Sequence, residues 1–234
     1  MSQVKITAFF TGKRAPERTK EQLLEHLQEM IKQLDTSKCK RYEHDDLFIT
    51  VYEDVFSQEF CDVLFQLMKH HGHYKRLHTN KDGQLSLKRN KCTYGSIDDY
   101  VIKVRDEEIS NKVHPWEAMP ILKEMSDMFV DLTKDEYNVC TVQYYNNGKV
   151  GIKPHRDKEM IHGTVITSLS LGCTRTMRFQ RGDVTIDIPL AHGSLCCIYP
   201  PTNDKWTHSI PLDNTTKPRI SLIFRRWENK HTSV

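Results

Sequence analysis

The stretch at residues 164–198, TVITSLSLGCTRTMRFQRGDVTIDIPLAHGSLCCI, decides the fold. Within it, residues 164–171, 176–179, 184–188 and 194–198 are short runs of β-branched and apolar residues, separated by turn residues. Runs of that length and composition read as strands. The same rhythm continues outward to 139–145 on one side and 220–226 on the other, so 139–226 is predicted to be a succession of strands. Upstream, the spacing changes to that of helices. Ser57 can cap a helix that carries Phe60, Val63, Leu64, Leu67 and Met68 on one face, and Pro120 opens a second with Ile121, Leu122, Met125, Met128, Phe129 and Leu132 as its apolar stripe. Residues 47–52, LFITVY, read as a strand that starts the folded domain. Helices followed by a run of antiparallel strands predict an α+β protein, a double-stranded β-helix or jelly roll with supporting N-terminal helices.

The N-terminal region has a different character. Residues 1–20 are basic toward their end, contain Gly12 and Pro16 and show no periodic apolar face beyond residue 10, which predicts a flexible tail. From residue 21 to 44 the expectation is an amphipathic helix and linker, with Leu23, Leu24, Leu27, Met30, Ile31 and Leu34 at helical spacing and Thr19 and Gln22 set as a capping box. The folded domain is then expected over 45–228.

Composition excludes several classes. The chain has 234 residues, 38% hydrophobic and 28% charged, a mean hydropathy of −0.61 and no apolar run near the roughly 18 residues that span a bilayer. With no signal-peptide pattern at the start, the expectation is a soluble, intracellular monomer with no membrane partner. Seven cysteines with no CxxC pair are read as reduced thiols, mostly small core residues. The net charge of +3 is compatible with an anionic partner without requiring one.

One motif in the strand-rich half carries chemistry. His155 and Asp157, separated by one residue in an extended segment, point to the same face and can reach one metal. His208, 53 residues later, supplies a third ligand where a jelly roll returns a distant strand beside the first. Two imidazoles and a carboxylate on one face of an octahedron leave positions for a bidentate 2-oxo acid and dioxygen on Fe(II). Taken alone this is a weak pattern, because the chain has twelve histidines and a single one is more often a surface or core residue. Arg219 and Arg225, six residues apart on a strand, share a face as well. Directed inward they need an anion, and a dicarboxylate such as 2-oxoglutarate provides one; on an exposed edge they are two solvated cations, and the pair by itself does not decide between these. An irregularity is expected in this strand near Leu222 and Phe224.

Several ordered motifs then coincide. His155-Arg-Asp157, Leu190-Ala-His-Gly-Ser-Leu195, Pro201-Thr-Asn, Trp206-Thr-His208-Ser and Pro218-Arg219 through Phe224-Arg225, with Thr93-Tyr94-Gly95 upstream, resemble the AlkB-type dioxygenases, specifically the branch of the second and third human homologues. The resemblance runs from about residue 47 to 226. It implies oxidative demethylation of N-alkylated bases with Fe(II), 2-oxoglutarate and O2, releasing succinate, carbon dioxide and formaldehyde. Carried over, His155, Asp157 and His208 would hold the iron, Arg219 the distal carboxylate, Arg225 would line the same pocket and Tyr145 would donate a hydrogen bond. Glu159 would read the exocyclic amine of a flipped base, with Arg156 also on the substrate side. The sequence departs from the family where Gln143 stands in place of an asparagine before Tyr145 and where Ser221 stands in place of an asparagine after Arg219. A base whose Watson-Crick edge is the target must be unpaired and stacked, and Tyr94 and Tyr100 are candidate stacking residues.

Two features point to partners. The basic segments 70–76 and 88–91 flank Gly83 as a hairpin that could grip phosphates, the alternative being a solvated basic loop; no aromatic wedge stands at residues 81–83, so either duplex activity is weaker or Leu85 or Leu87 acts as the wedge. Gln3-Val-Lys-Ile6-Thr-Ala-Phe9-Phe10 fills every defined position of the Qxx(I/L/M)xx(F/Y)(F/Y) motif, the PIP box that docks on the PCNA sliding clamp, where Ile6, Phe9 and Phe10 would form the apolar plug and Gln3 the polar contact. Alkylated DNA in the nucleus is therefore the expected substrate. RNA, including m6A, demethylation, a noncatalytic binding module and a protein hydroxylase are the alternatives.

Overall fold

The three longer helices start where a side chain satisfies the free N–H groups of the first turn or where proline needs none. In the computed structural model, which describes residues 18–76, 90–104 and 107–228 and only the backbone at 75–76, 101–104 and 107–111, α1 is Lys20–Met30. Thr19 and Gln22 close a reciprocal capping box there, with Thr19 N–H donating to Gln22 Oε1 at 2.9 Å and Gln22 N–H to Thr19 Oγ1 at 3.3 Å. After β1 (Cys39–His44) and β2 (Leu47–Tyr52) comes α2 (Gln58–His71), whose Phe60 N–H donates to the capping Ser57 Oγ at 3.1 Å. Four short strands follow, β3 (Lys75–Arg76), β4 (Asn90–Gly95), β5 (Tyr100–Val104) and β6 (Glu107–Asn111), then β7 (Val113–Pro115) and α3 (Pro120–Thr133) with proline in its first turn.

The strand-rich half supplies β8 (Val139–Tyr145), β9 (Ile152–His155), β10 (Ile166–Gly172), β11 (Arg175–Arg181), β12 (Val184–Leu190) and β13 (Leu195–Tyr199). The short helix α4 (Thr202–Lys205), β14 (Thr207–Ile210) and β15 (Arg219–Arg225) complete it. Among the described residues the strands form two large sheets and a separate two-stranded one, β5-β6. The major sheet runs β1-β2-β13-β10-β15-β8-β4-β3, with β7 alongside β4, and the minor sheet runs β12-β11-β14-β9. The architecture is an α+β jelly roll with helices on the outer face of the major sheet.

Two cores result. The helix-side core joins Leu23 and Leu27 of α1, Phe60, Leu64 and Leu67 of α2, and Ile121, Leu122, Met125 and Phe129 of α3 to Cys140, Val142, Leu169, Leu195, Leu222 and Phe224 of the major sheet. Fully burying each of the large ones contributes about 1.5–3 kcal/mol. The inter-sheet core contains Ile49, Tyr145, Phe179, Ile188, Cys196, Ile198 and Trp206. All seven cysteines are free thiols, five of them buried. Among the described residues no helix is long and apolar enough to cross a membrane.

Three expectations change. Residues 39–44 are not linker: β1 pairs along its whole length with β2, turning through Asp45 and Asp46, both at positive φ (28° and 64°). A strand exposed at five of its six positions lacks the alternation that sequence reading relies on. Strands β4–β7 were missed for a related reason, being short or without a period-two pattern. The expected irregularity in β15 is absent: its register with β8 and β10 is continuous, with Ile220, Leu222 and Phe224 facing the helices and Arg219, Ser221 and Arg225 facing the minor sheet. Residues 1–17 and 77–89, which include the tail motif and the hairpin tip, lie outside the described residues.

Candidate metal and cosubstrate site

β9 and β14 are neighbours in the minor sheet, and their register places His208 opposite His155. The two imidazoles lie with ring centroids 4.3 Å apart. Asp157, just past the end of β9, turns its carboxylate toward both, 3.6 Å from His155 Nε2 and 4.0 Å from His208 Nε2. The ligand atoms of His155, Asp157 and His208 all lie within 4.8 Å of one another, close enough for one ion to touch all three. His155 Nδ1 is 3.0 Å from the Lys153 carbonyl. A bond donated there leaves the lone pair on Nε2, the atom that faces Asp157. The Asp157 backbone is held on both sides by Asn203, whose Oδ1 accepts from Asp157 N–H at 3.0 Å and whose Nδ2 donates to the Asp157 carbonyl at 2.8 Å.

The protonation states suit a divalent cation. Burial pushes the Asp157 carboxyl up, but the Arg225 guanidinium first, and then the His155 and His208 side chains, outweigh it and hold the group well below the usual carboxylate range. Burial pulls His208 down to about 4, against the partly opposing pull of Asp157. An ionised carboxylate and a neutral imidazole are the forms that bind metal.

Across the cavity the major sheet presents a polar row. Because β15 pairs Arg219 with Tyr145 and Ser221 with Gln143, these four side chains share a face. Arg219 Nη2 donates to Ser170 Oγ at 2.9 Å, and Tyr145 Oη donates to Gln143 Oε1 at 2.7 Å. Ser221 Oγ lies 2.9 Å from Ser168 Oγ. Arg225 Nη1 pairs with Asp157 Oδ2 at 2.9 Å and its Nη2 donates to Thr141 Oγ1 at 3.0 Å, linking the two sheets. Arg219 is 1% exposed, and its Nε and Nη1 have no hydrogen-bond partner. Among the described residues no carboxylate pairs with it. A buried guanidinium with orphaned N–H groups is a seat for an anion. Both residue sets line one cavity, together with apolar Ile152, Ile166, Met177 and Ile198. The donor sets thus fit a divalent metal at one end and an acid at the other.

Other residues singled out in the sequence fall around this cavity or away from it. Glu159 is exposed beyond Asp157, its Oε2 accepting from Lys158 N–H at 3.2 Å. Arg156 is exposed and donates to the Asp204 carbonyl at 2.8 Å. Tyr100 is half-buried, edge-on to Trp227 with centroids 4.5 Å apart, and accepts from Lys91 Nζ at 3.1 Å. Tyr94 is not a stacking residue. It is fully buried in the helix-side core, 2.9 Å from His73 Nδ1 through its hydroxyl, because its position along β4 turns it to the opposite face from Lys91 and Thr93.

Sequence reading assigned no role to Asn203, Arg175, Thr141, Ser168 or Ser170. The last three carried a signal: hydroxyls at alternate positions of otherwise apolar strands mark a polar row facing inward.

The fold and the paired donor sets agree with the comparisons. Residues 48–225 match the model of the 2OG-Fe(II) oxygenase superfamily, and the chain belongs to that family, whose members take Fe(II), 2-oxoglutarate and O2. Within it, the chain resembles AlkB-type proteins. It is 31% identical over 154 residues to the DNA oxidative demethylase ALKBH2 of Mus musculus, covering 60% of this chain and 62% of that protein. It is 31% identical over 120 residues to the alpha-ketoglutarate-dependent dioxygenase alkB homolog 3 of Homo sapiens, covering 45% of this chain and 42% of that one. The matches thus span less than two thirds of these relatives. The solved structure of OsALKBH1 shares the fold, with a TM-score of 0.54 at 14% identity over 80% of this chain and all of that one.

Proposed function

We propose that this chain oxidatively removes alkyl groups from base nitrogens in DNA. The observation that carries the reading is a single cavity with a His-Asp-His cluster at one end and an unpaired buried guanidinium at the other. The resemblance to DNA oxidative demethylases supplies the substrate class. His155, Asp157 and His208 would hold the iron. When bound, the iron with 2-oxoglutarate and O2 supplies an oxidant strong enough to hydroxylate an N-alkyl carbon, and the product then loses formaldehyde without an acid or base from the protein.

The chain's own residues bind and orient. Arg219 takes the distal carboxylate of 2-oxoglutarate on its free Nε and Nη1, and Tyr145 stands beside it, its ring 5.2 Å from the guanidinium carbon. Gln143 accepts from Tyr145, which leaves its amide N–H groups as donors in the place where the family has a shorter amide. Ser221 contributes only a hydroxyl to the same wall. Arg225 holds Asp157 in position through its ion pair. The apolar lining of Ile152, Ile166 and Met177 limits water around the reacting centre. The substrate base enters unpaired, with Glu159 and Arg156 on the solvent side and Tyr100 available to stack. Residues 3–10, with Gln3, Ile6, Phe9 and Phe10, would tether the enzyme to the PCNA clamp, and replicating DNA in the nucleus would be its setting.

The test is incubation of the protein with Fe(II), 2-oxoglutarate and oligodeoxynucleotides carrying 1-methyladenine or 3-methylcytosine, followed by mass measurement. Loss of one methyl group per succinate formed is expected, with none for His208→Ala. Succinate formation without change in any alkylated DNA or RNA oligonucleotide rejects the substrate class. Greater activity on the RNA versions moves the assignment to RNA.

A further inference from the structure

Arg175 is a buried cation outside the roles assigned above. It opens β11 in the minor sheet, and its side chain is 1% exposed. Its Nη2 donates to the Pro211 carbonyl at 2.7 Å and to the Val150 carbonyl at 3.2 Å. Its Nη1 donates to Val150 at 3.2 Å and to Asn147 at 3.3 Å, and its Nε lies 2.6 Å from Asp213 Oδ2. All of these acceptors belong to two crossovers between the sheets. Residues 146–151 lead from β8, which carries Gln143 and Tyr145, to β9, which carries His155. Residues 211–218 lead from β14, which carries His208, to β15, which carries Arg219 and Ser221.

The same two crossovers are also joined directly. Asp213 N–H donates to the Gly148 carbonyl at 3.0 Å and Gly148 N–H to the Thr215 carbonyl at 2.8 Å. Glycine is required at 148, since a Cβ there would strike the Asp213 carbonyl and carboxylate. The Tyr145 ring is near two guanidiniums, with the Arg175 carbon 5.9 Å and the Arg219 carbon 5.2 Å from its centroid.

Stability alone does not call for such a group, because a buried ion pair is often no more stabilising than apolar residues of the same volume. What apolar residues could not do is hold four oxygen atoms on two loops at set distances. We propose that Arg175, clamped by Asp213, is a positioning residue that sets the span between the metal ligands on the minor sheet and Arg219 on the major sheet, and thereby the length of dicarboxylate the cavity accepts. The proposal rests on the reading of the cavity as a metal and 2-oxoglutarate site. A ligand that must touch both sheets at once binds well only if the sheets are held at its length. Loosening the clasp therefore weakens the ligand of matching length most and narrows the gap between acids of different length.

The experiment measures binding in the absence of turnover, by calorimetry with Mn(II) as a redox-inert metal, for 2-oxoglutarate and for the one-methylene-longer 2-oxoadipate. Wild type is expected to prefer 2-oxoglutarate. In Asp213→Asn, which keeps an acceptor for Thr215 N–H but removes the charge, 2-oxoglutarate affinity is expected to fall about tenfold, with a smaller loss for 2-oxoadipate and Mn(II) affinity unchanged. Arg175→Lys is expected to fall between wild type and Arg175→Met. Should Arg175→Met not fold, Asp213→Asn still decides. A lower melting temperature in Asp213→Asn with the preference between the two acids intact overturns the proposal and leaves Arg175 a purely structural residue. Failure of the wild type to bind 2-oxoglutarate at all overturns the reading of the cavity itself, and the clasp with it.

Discussion

The two faces of β15 divide the molecule. Ile220, Leu222 and Phe224 enter the helix-side core, where the side chains are almost all apolar, while Arg219, Ser221 and Arg225 enter the layer between the sheets, where charge and hydroxyls accumulate. One side gains free energy from burial. The other side buries Arg219, Arg225 and His208 at 1%, 5% and 9% exposure and accepts the desolvation cost. The contrast teaches that stability and chemistry are carried by opposite faces of the same strands, so a substitution on one face can leave the other property intact.

The sharpest way to break that division is Phe129→Ala in the helix-side core. Phe129 is fully buried and edge-on to Phe224, and its truncation is expected to cost about 3–5 kcal/mol in urea unfolding, with 2-oxoglutarate turnover retained at a temperature where the variant stays folded. Comparable loss of turnover in that folded variant would mean the two faces are coupled.

The pH dependence of the metal-free protein probes the other side. His208 has a folded pKa of about 4 against an ordinary value of 6.5, so the unfolded chain takes up a proton that the folded one refuses. Stability from this group is complete above pH 6.5 and is lost as the pH falls toward 4, by on the order of 3 kcal/mol. His208→Gln, which does not titrate, is expected to flatten that slope in denaturant titrations across this window; an unchanged slope assigns it elsewhere.

Arg219→Met removes a buried cation without leaving a cavity. The KM for 2-oxoglutarate is expected to rise about 100-fold while the melting temperature holds or increases. A large drop in melting temperature would show that the guanidinium supports the fold. The smallest effect is expected at the periphery, where Thr19→Ala breaks the capping box of α1 and costs about 1 kcal/mol in chemical denaturation without changing turnover.

Much of this arrangement was legible beforehand, for reasons that differ by element. The three longer helices announced themselves through start signals and apolar spacing, both local properties, and the long inner strands did so through β-branched runs. The pairing of His155 with Asp157 followed from a two-residue period. β1 escaped because it is an exposed edge whose pairing is set by its neighbour β2. Tyr94 was misread because a short strand without alternation does not declare which of its faces is inward.

What the amino-acid sequence determined by itself was the three longer helices, the long inner strands and the chemical identity of the candidate ligands, since propensity, capping and side-chain type act over a few residues. The tertiary structure alone decided which face of each strand met the cavity, that Arg219 lacks a counter-charge among the described residues, that Asn203 grips the Asp157 backbone, and that Arg175 joins two crossovers. Those facts depend on the register between strands far apart in the chain, and register is settled only when both sheets pack and each buried polar group finds its partner.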